Sequence, residues 1–334
     1  MVDLLNQFLY RNDRQDLLRD WLSRPGAFRQ ADFDLFASSG VNAINFGQGA
    51  SSLHDALALL ETWNGFLRNY PQWLTRIGSA KDLVAAKADA RYGVIFGLQT
   101  SAQFESLEAV DACHAQGLRI SQLTHNYRSA VADGDFEAED GGVSEYGAKV
   151  IERMNALGMA VDLSHASDRS QLEACEISTA PLILSHGNCR ALNIDSPRAT
   201  ADEAIRAIAR KGGVIGIAFV TFMVKGRDPV TIEDVVDHFD HVRDLVGIEH
   251  VGIGSDAGIE SNDLGSPQVL KETLARIDPH YHVHGAREVV AGLEGSDRVY
   301  ELTTALASRG YTDEHIRLVL GENWRRVLGQ IWRG

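Results

Sequence analysis

The chain has 334 residues, 44% hydrophobic and 23% charged, ordinary values for a soluble globular protein. A net charge of −14 and a pI near 5.3 argue against sequence-independent binding to nucleic acid or to an anionic membrane surface. No apolar run is long enough to span a membrane, Met1-Val-Asp-Leu-Leu-Asn6 has no basic leader region, and Cys113, Cys175 and Cys189 match no zinc or Cys-x-x-Cys spacing, so a reduced cytoplasmic protein is expected.

Taken in order, the chain alternates short apolar runs with amphipathic segments. The runs are Val2–Phe8, Val41–Phe46, Val94–Leu98, Ile120–Leu123, Ala160–Ser164, Leu182–Ser185, Val214–Phe219 and His250–Gly254. Helical periodicity fills Leu53–Arg68, Leu107–Ala115, Tyr146–Leu157, Asp202–Lys211 and Ile232–Val246, with glycines 158, 213 and 247 where helices should end. Eight strands alternating with helices predict a parallel sheet closed on itself, a (β/α)8 TIM barrel, in preference to an open doubly wound sheet. Residues 1–334 are expected to form one such domain. Its last part, from about 297 to 334, reads as closing helices: Asp297–Arg309, Asp313–Leu320 and Glu322–Trp332.

In a barrel of this kind polar residues at strand carboxyl ends face the active-site mouth, which here would carry Gln7, Gln99, His125, His165, His186 and Asp256. His165 and His186 each follow a serine at the end of an apolar run, and paired imidazoles in matched positions suit metal binding or proton transfer. As isolated rim histidines they would be satisfied structural groups. Asp256 closes His250-Val-Gly-Ile-Gly-Ser-Asp256 and could ligate a metal or shuttle a proton; its bland alternative is a helix N-cap. His125 could donate to a developing oxyanion, and Arg198 could hold a substrate carboxylate. His238 and His241 read as an exposed or half-buried helix face. Pro279-His-Tyr-His-Val-His284 lies in an irregular stretch, 259–295, that reads as a lid.

Several motifs, in one order, resemble the membrane (renal-type) dipeptidase family of the amidohydrolase superfamily. They are Leu123-Thr-His-Asn126, Val161-Asp-Leu-Ser-His165, Leu184-Ser-His186 with Ser196-Pro-Arg198, and Gly247-Ile-Glu-His-Val-Gly-Ile-Gly-Ser-Asp256. The tail segments Leu306–Ile316 and Gly321–Leu328 are similar too. The resemblance implies a barrel of the metal-dependent hydrolase type that cleaves dipeptides with two zinc ions. It makes His165 and His186 ligands of one ion, His125 the group that binds the tetrahedral intermediate, Asp256 the catalytic carboxylate and Arg198 the clamp on the substrate carboxylate. It also leaves room for a homodimer.

The chain departs from the family pattern where the other ion would sit. The first-strand His and second Asp are replaced by Leu5 and Gln7, and the bridging glutamate by Gln99, in Gly97-Leu-Gln99. Two dications set against two imidazoles and one carboxylate would leave uncompensated charge in a low-dielectric mouth. The expectation is therefore a hydrolase of a small dipeptide-like amide with one divalent metal at most, zinc by preference. His165, His186 and Asp256 would be its ligands, Gln99 would join Arg198 in the substrate site, and the second ion would be absent. A metal-free enzyme of this fold acting on a small zwitterionic amino-acid derivative, or a non-catalytic binding homologue, are the alternatives.

Overall fold

The computed structural model describes residues 1–6, 21–227, 229–258, 289–293 and 295–332, the side chains of Leu5 and Asn6 excepted. Eleven strands occur among these residues: β1 (Val2–Asn6), β2 (Ala43–Phe46), β3 (Leu74–Ile77), β4 (Tyr92–Ile95), β5 (Gly97–Leu98), β6 (Ile120–Gln122), β7 (Ala160–Asp162), β8 (Ile183–Cys189), β9 (Ala199–Thr200), β10 (Val214–Ile217) and β11 (Val251–Ile253). All pairs are parallel, in the orders β1-β2-β4-β3 and β11-β10-β8-β7-β6-β5.

The two sheets are parts of one ring. Tyr92–Leu98 is a single run broken at Phe96, whose carbonyl accepts from Arg119 N–H, so the chain leaves β3 and joins β6. At the other junction β1 lies beside β11, and the Ser255 N–H donates to Asp3 Oδ1 at 2.8 Å. Counting β4 and β5 as one, β1, β2, β4–β5, β6, β7, β8, β10 and β11 give eight parallel barrel strands, as expected. Each falls within one of the eight apolar runs or overlaps it. β3 was not anticipated. It pairs only on the outer edge of β4, and only its end residues, Leu74 and Ile77, are buried.

Helices alternate with the strands and cover the outside. They are α1 (Gln30–Ser38), α2 (Leu53–Asn69), α3 (Ala80–Ala88), α4 (Leu107–Ala115), α5 (Glu145–Leu157), α6 (Asp168–Ile177), α7 (Asp202–Arg210), the short α8 (Thr221–Val224) and α9 (Ile232–Val246). Most start at a serine or threonine whose hydroxyl accepts an N–H of the first turn, as at Ser52, Ser79, Ser106, Ser144, Ser167 and Thr231. Against β2 and β4 the core is aromatic: Phe46 stacks on Trp63 at 4.8 Å, and Phe28 meets Phe66 and Tyr70 edge-on.

The carboxyl-terminal helices, α10 (Arg298–Ser308), α11 (Asp313–Arg317) and α12 (Asn323–Ile331), fall within the three predicted segments. Trp324, Val327 and Leu328 of α12 are fully buried against Leu4, Ile183 and Val214. The Trp324 indole donates to Ile253 C=O at 3.0 Å. Its ring lies so close to Gly252 that a Cβ there would come within 2.6 Å of it. The glycines of Val251-Gly-Ile-Gly254 thus admit neighbouring groups: a Cβ at Gly254 would stand 1.7 Å from Ser185 C=O.

Candidate active site

The site is built just past the carboxyl end of β7 and on the middle of β8, which runs on through His186 to Cys189 instead of ending at Ser185. After β7 the backbone turns into the left-handed region at His165, φ +68°, a conformation that non-glycine residues adopt rarely and at a cost. Asn126, φ +57°, and Asp256, φ +53°, do the same after β6 and β11. Three of the four non-glycine residues with positive φ among the described residues therefore stand at this rim; Ala90 is the fourth.

His165 and His186 are 4% and 0% exposed, and their Nε2 atoms face each other at 3.0 Å. Each imidazole is held from behind. His165 Nδ1 donates to Asn126 Oδ1 at 2.7 Å, and His186 Nδ1 bonds the Ser185 hydroxyl at 2.9 Å. That hydroxyl lies 3.0 Å from Ser164 Oγ, which donates to Asp162 Oδ1 at 2.9 Å. Asp162 also accepts the N–H groups of Ser164 and Ser185, and the His186 N–H donates to Ser164 Oγ. A buried polar chain therefore runs from Asn126 through both imidazoles to Asp162. Burial holds both histidines well below their ordinary pKa, with the Arg198 charge acting in the same direction, so both are neutral. Burial also raises the Asp162 carboxyl, against the hydrogen bonds from Ser185 and Ser164.

The two imidazoles open onto a cavity of about 190 Å³, which Arg198 also lines, with Asp135, Arg190 and Asp168. Arg198 is buried, and its Nη1 donates to Asp135 Oδ2 at 2.6 Å, the two side chains being 4% and 9% exposed. Burial pushes the Asp135 carboxyl up to about 6, with the guanidinium opposing it. Arg190 is matched by Asp168 through two bonds of 2.5 and 2.8 Å.

Of the predicted residues, His165, His186 and Arg198 thus share one cavity. His125 is exposed, three residues beyond the end of β6 rather than on the strand, and stacks on His165 with centroids 4.1 Å apart. Asp256 is half-buried at the tip of β11, and no described helix starts at it. Gln99, half-buried after β5, donates its N–H to Gln48 C=O, and neither it nor Asp256 lines the cavity. Gln7, the stretch 259–288 and its three histidines lie outside the described residues. His238 corrects the reading of an exposed or half-buried helix face. It is fully buried, accepts Cys189 N–H at Nδ1 and donates to Val224 C=O, while His241 is half-buried against Asp202.

Asn126, Ser164, Ser185, Asp162 and Asp135 were not anticipated. Only the serines carried a signal, each preceding a singled-out histidine. The three cysteines are buried and unpaired.

A metal fits here in part. Two imidazole nitrogens on one zinc ion, at about 2.0–2.1 Å each, would stand roughly 3.3 Å apart, close to the observed facing pair. Both Nε2 atoms are lone pairs if His186 carries its proton on Nδ1 and Ser185, Ser164 and Asp162 pass the donors along. Gln99 is neutral, and no group of three His, Cys, Asp or Glu able to hold an ion occurs among the described residues.

The model of the membrane dipeptidase family, peptidase family M19, matches residues 31–278. A dipeptidase of Clonostachys rogersoniana, verJ, is 32% identical over 220 residues, 64% of this chain and 49% of that protein. An uncharacterized dipeptidase of Schizosaccharomyces pombe is 29% identical over 276 residues, 79% of this chain and 66% of that one. The chain therefore spans about half to two thirds of the length of these curated relatives. An amidohydrolase from Pseudomonas aeruginosa has the same fold at a TM-score of 0.81 and 23% identity, with 99% and 96% of the two chains covered. A metallopeptidase from Rhodobacter sphaeroides, liganded with a phosphinate mimic of L-Ala-D-Ala, gives 0.76 at 21% identity, with 99% of each chain covered. By the match over most of its length, the chain belongs to the membrane dipeptidase family, peptidase family M19.

Proposed function

We propose that this protein hydrolyses the amide bond of a small dipeptide-like substrate with one divalent ion at most, zinc by preference. The observation that carries the reading is the meeting of His165, His186 and Arg198 in one cavity of a dipeptidase-family barrel. An ion held by the facing Nε2 atoms of His165 and His186 would acidify a water and polarise the scissile carbonyl. A second ion has no place in this reading, since Leu5 has no donor atom and Gln7 and Gln99 carry no charge.

The chain's own groups do the rest. Asp256 takes the proton from the attacking water and returns it to the leaving amine. His125, stacked on His165, donates to the oxyanion as it forms. Arg198, with Gln99 on the neighbouring rim, meets the substrate's carboxyl-terminal side. The substrate is a small molecule and not a nucleic acid. The three unpaired thiols agree with a cytoplasmic enzyme, and no described helix is long and apolar enough to cross a membrane. One barrel domain, with the helices from about 297 as its closing part, and a homodimer complete the proposal.

Elemental analysis of chelator-free protein, run beside a dipeptide-hydrolysis screen, tests it. The expected result is one ion per chain, lost together with hydrolysis in His165→Ala; no ion and no amide cleavage would overturn it. One observation favours a second reading. The chain from Asn126 to Asp162 satisfies both imidazoles with no ion if His186 Nε2–H donates to His165. In that reading the pair acts as an acid–base set on a small zwitterion, and activity survives exhaustive chelation.

A further inference from the structure

A guanidinium that binds a substrate carboxylate needs that carboxylate as its counter-ion. In this chain Arg198 already has one. Asp135 Oδ2 lies 2.6 Å from its Nη1, and both side chains are more than nine-tenths buried, so the pair is shielded from solvent screening. The turn that carries Asp135 is pinned. The Asp135 N–H donates to His165 C=O at 2.9 Å, and a Cβ on the preceding Gly134 would meet the Asn126 backbone at 2.2 Å. The backbone of Asp135 is therefore fixed, and its carboxylate can leave Arg198 only by a change of rotamer.

The remaining charges of the cavity point the same way. Its other cation, Arg190, is held by both oxygens of Asp168 and donates to Ala199 C=O as well. The lining holds Asp135, Glu137, Asp140 and Asp168 against Arg190 and Arg198, four acids to two bases. Asp135 Oδ1 is buried with no hydrogen-bond partner among the described residues, an unmatched acceptor on a residue that lines the cavity. A free carboxylate placed beside Arg198 would displace Asp135 or sit against it. An amide N–H would instead satisfy Oδ1.

We infer that Asp135 is a specificity-determining residue that fills the carboxylate clamp from within, so that the cavity takes dipeptide-like molecules whose carboxyl end is capped as an amide and disfavours those with a free carboxylate. The inference rests on the hydrolase reading only for its choice of peptide probes.

Binding of alanyl-alanine and of alanyl-alaninamide, measured by calorimetry at pH 8 on the wild type and on Asp135→Asn, tests it without requiring turnover. The wild type should bind the amide at least tenfold more tightly than the free acid. Asp135→Asn, which keeps the shape and removes the charge, should shift that ratio at least tenfold toward the acid. Thermal unfolding and the circular dichroism of both proteins establish that the variant is folded; if it is not, Asp135→Ser takes its place under the same criterion. Tighter binding of the acid by the wild type, an unchanged ratio in the variant, or no binding of either probe to either protein would overturn the inference. Amide-selective binding without hydrolysis would count against the hydrolase reading and leave this one standing.

Discussion

Two arcs of the same rim use their polar residues in opposite ways. Around the ends of β6 and β7 and on β8, Asn126, Ser164, Ser185 and Asp162 hold two imidazoles that face each other and line a cavity. Across the barrel, where β1 meets β11, the polar groups are turned to joining strands. Asp3 accepts both the N–H and the hydroxyl of Ser255, and the buried Arg298 bonds that hydroxyl and Ala257 C=O. The first arc carries the proposed site, while the described residues of the second form a seam between strands. Substitutions in the first should therefore be read in chemistry, and those in the second in stability.

The contrast is tested most strongly by His165→Ala, expected to lower kcat/KM for the best dipeptide-like substrate by about 10³ or more, the scale on which loss of one essential group is felt. Its unfolding free energy should change by less than about 2 kcal/mol. Asp3→Ala should do the reverse. It strips two buried donors of a charged acceptor, so denaturant unfolding should show a loss of roughly 3 kcal/mol while kcat of the folded fraction stays within about threefold. A comparable loss of activity in both variants would erase the distinction between the arcs.

Stability against pH probes a third kind of histidine, one that belongs to neither arc. Burial lowers His238 to about 4 from an ordinary 6.5. The unfolded chain then takes up a proton below 6.5 that the folded chain refuses, so the stabilisation is complete above 6.5 and disappears as pH falls toward 4. The total is about 3 kcal/mol, from 1.36 kcal/mol per pKa unit. Urea unfolding at pH 7.5 and 4.5 should show this slope in the wild type and a flatter one in His238→Phe, which starts lower because Cys189 N–H and Val224 C=O lose their partner.

Gly252→Ala should cost about 1–3 kcal/mol, because its methyl meets the Trp324 ring. The smallest effect sharpens the first arc alone. Ser185→Ala breaks the link between Asp162 and His186 and should reduce kcat about tenfold, roughly 1.4 kcal/mol, with KM unchanged. A change in KM with kcat intact would show that the hydroxyl serves binding and does not orient the imidazole.

The ring of strands was legible because each barrel strand is a short run of buried apolar residues bounded by turn signals, and His165 and His186 were legible because both end such runs. β3 was not, since the edge strand Leu74-Thr-Arg-Ile77 has two polar residues at its centre and shows neither an apolar run nor an alternation. Asp135 gave no signal: its partner is 63 residues away in another loop, and nothing local distinguishes it from the solvated acids around it. His238 misled because Asp237 and Asp240 beside it suggest an exposed face, whereas its ring reaches inward to the Cys189 backbone. Asn126 was hidden for a different reason, because its role depends on a left-handed backbone that composition does not announce.

Gly254 carries one more consequence. Its missing side chain lets the last strand rest directly on the main chain of Ser185 and His186, where a Cβ would stand 3.1 Å from the His186 Cα. The loop bearing Asp256 and the strand bearing His186 are therefore mechanically one part. A shift of the Asp256 loop toward a ligand would press on the His186 backbone, so in the proposed reading the spacing of these two groups is set by a main-chain contact and outlasts changes in the side chains around it.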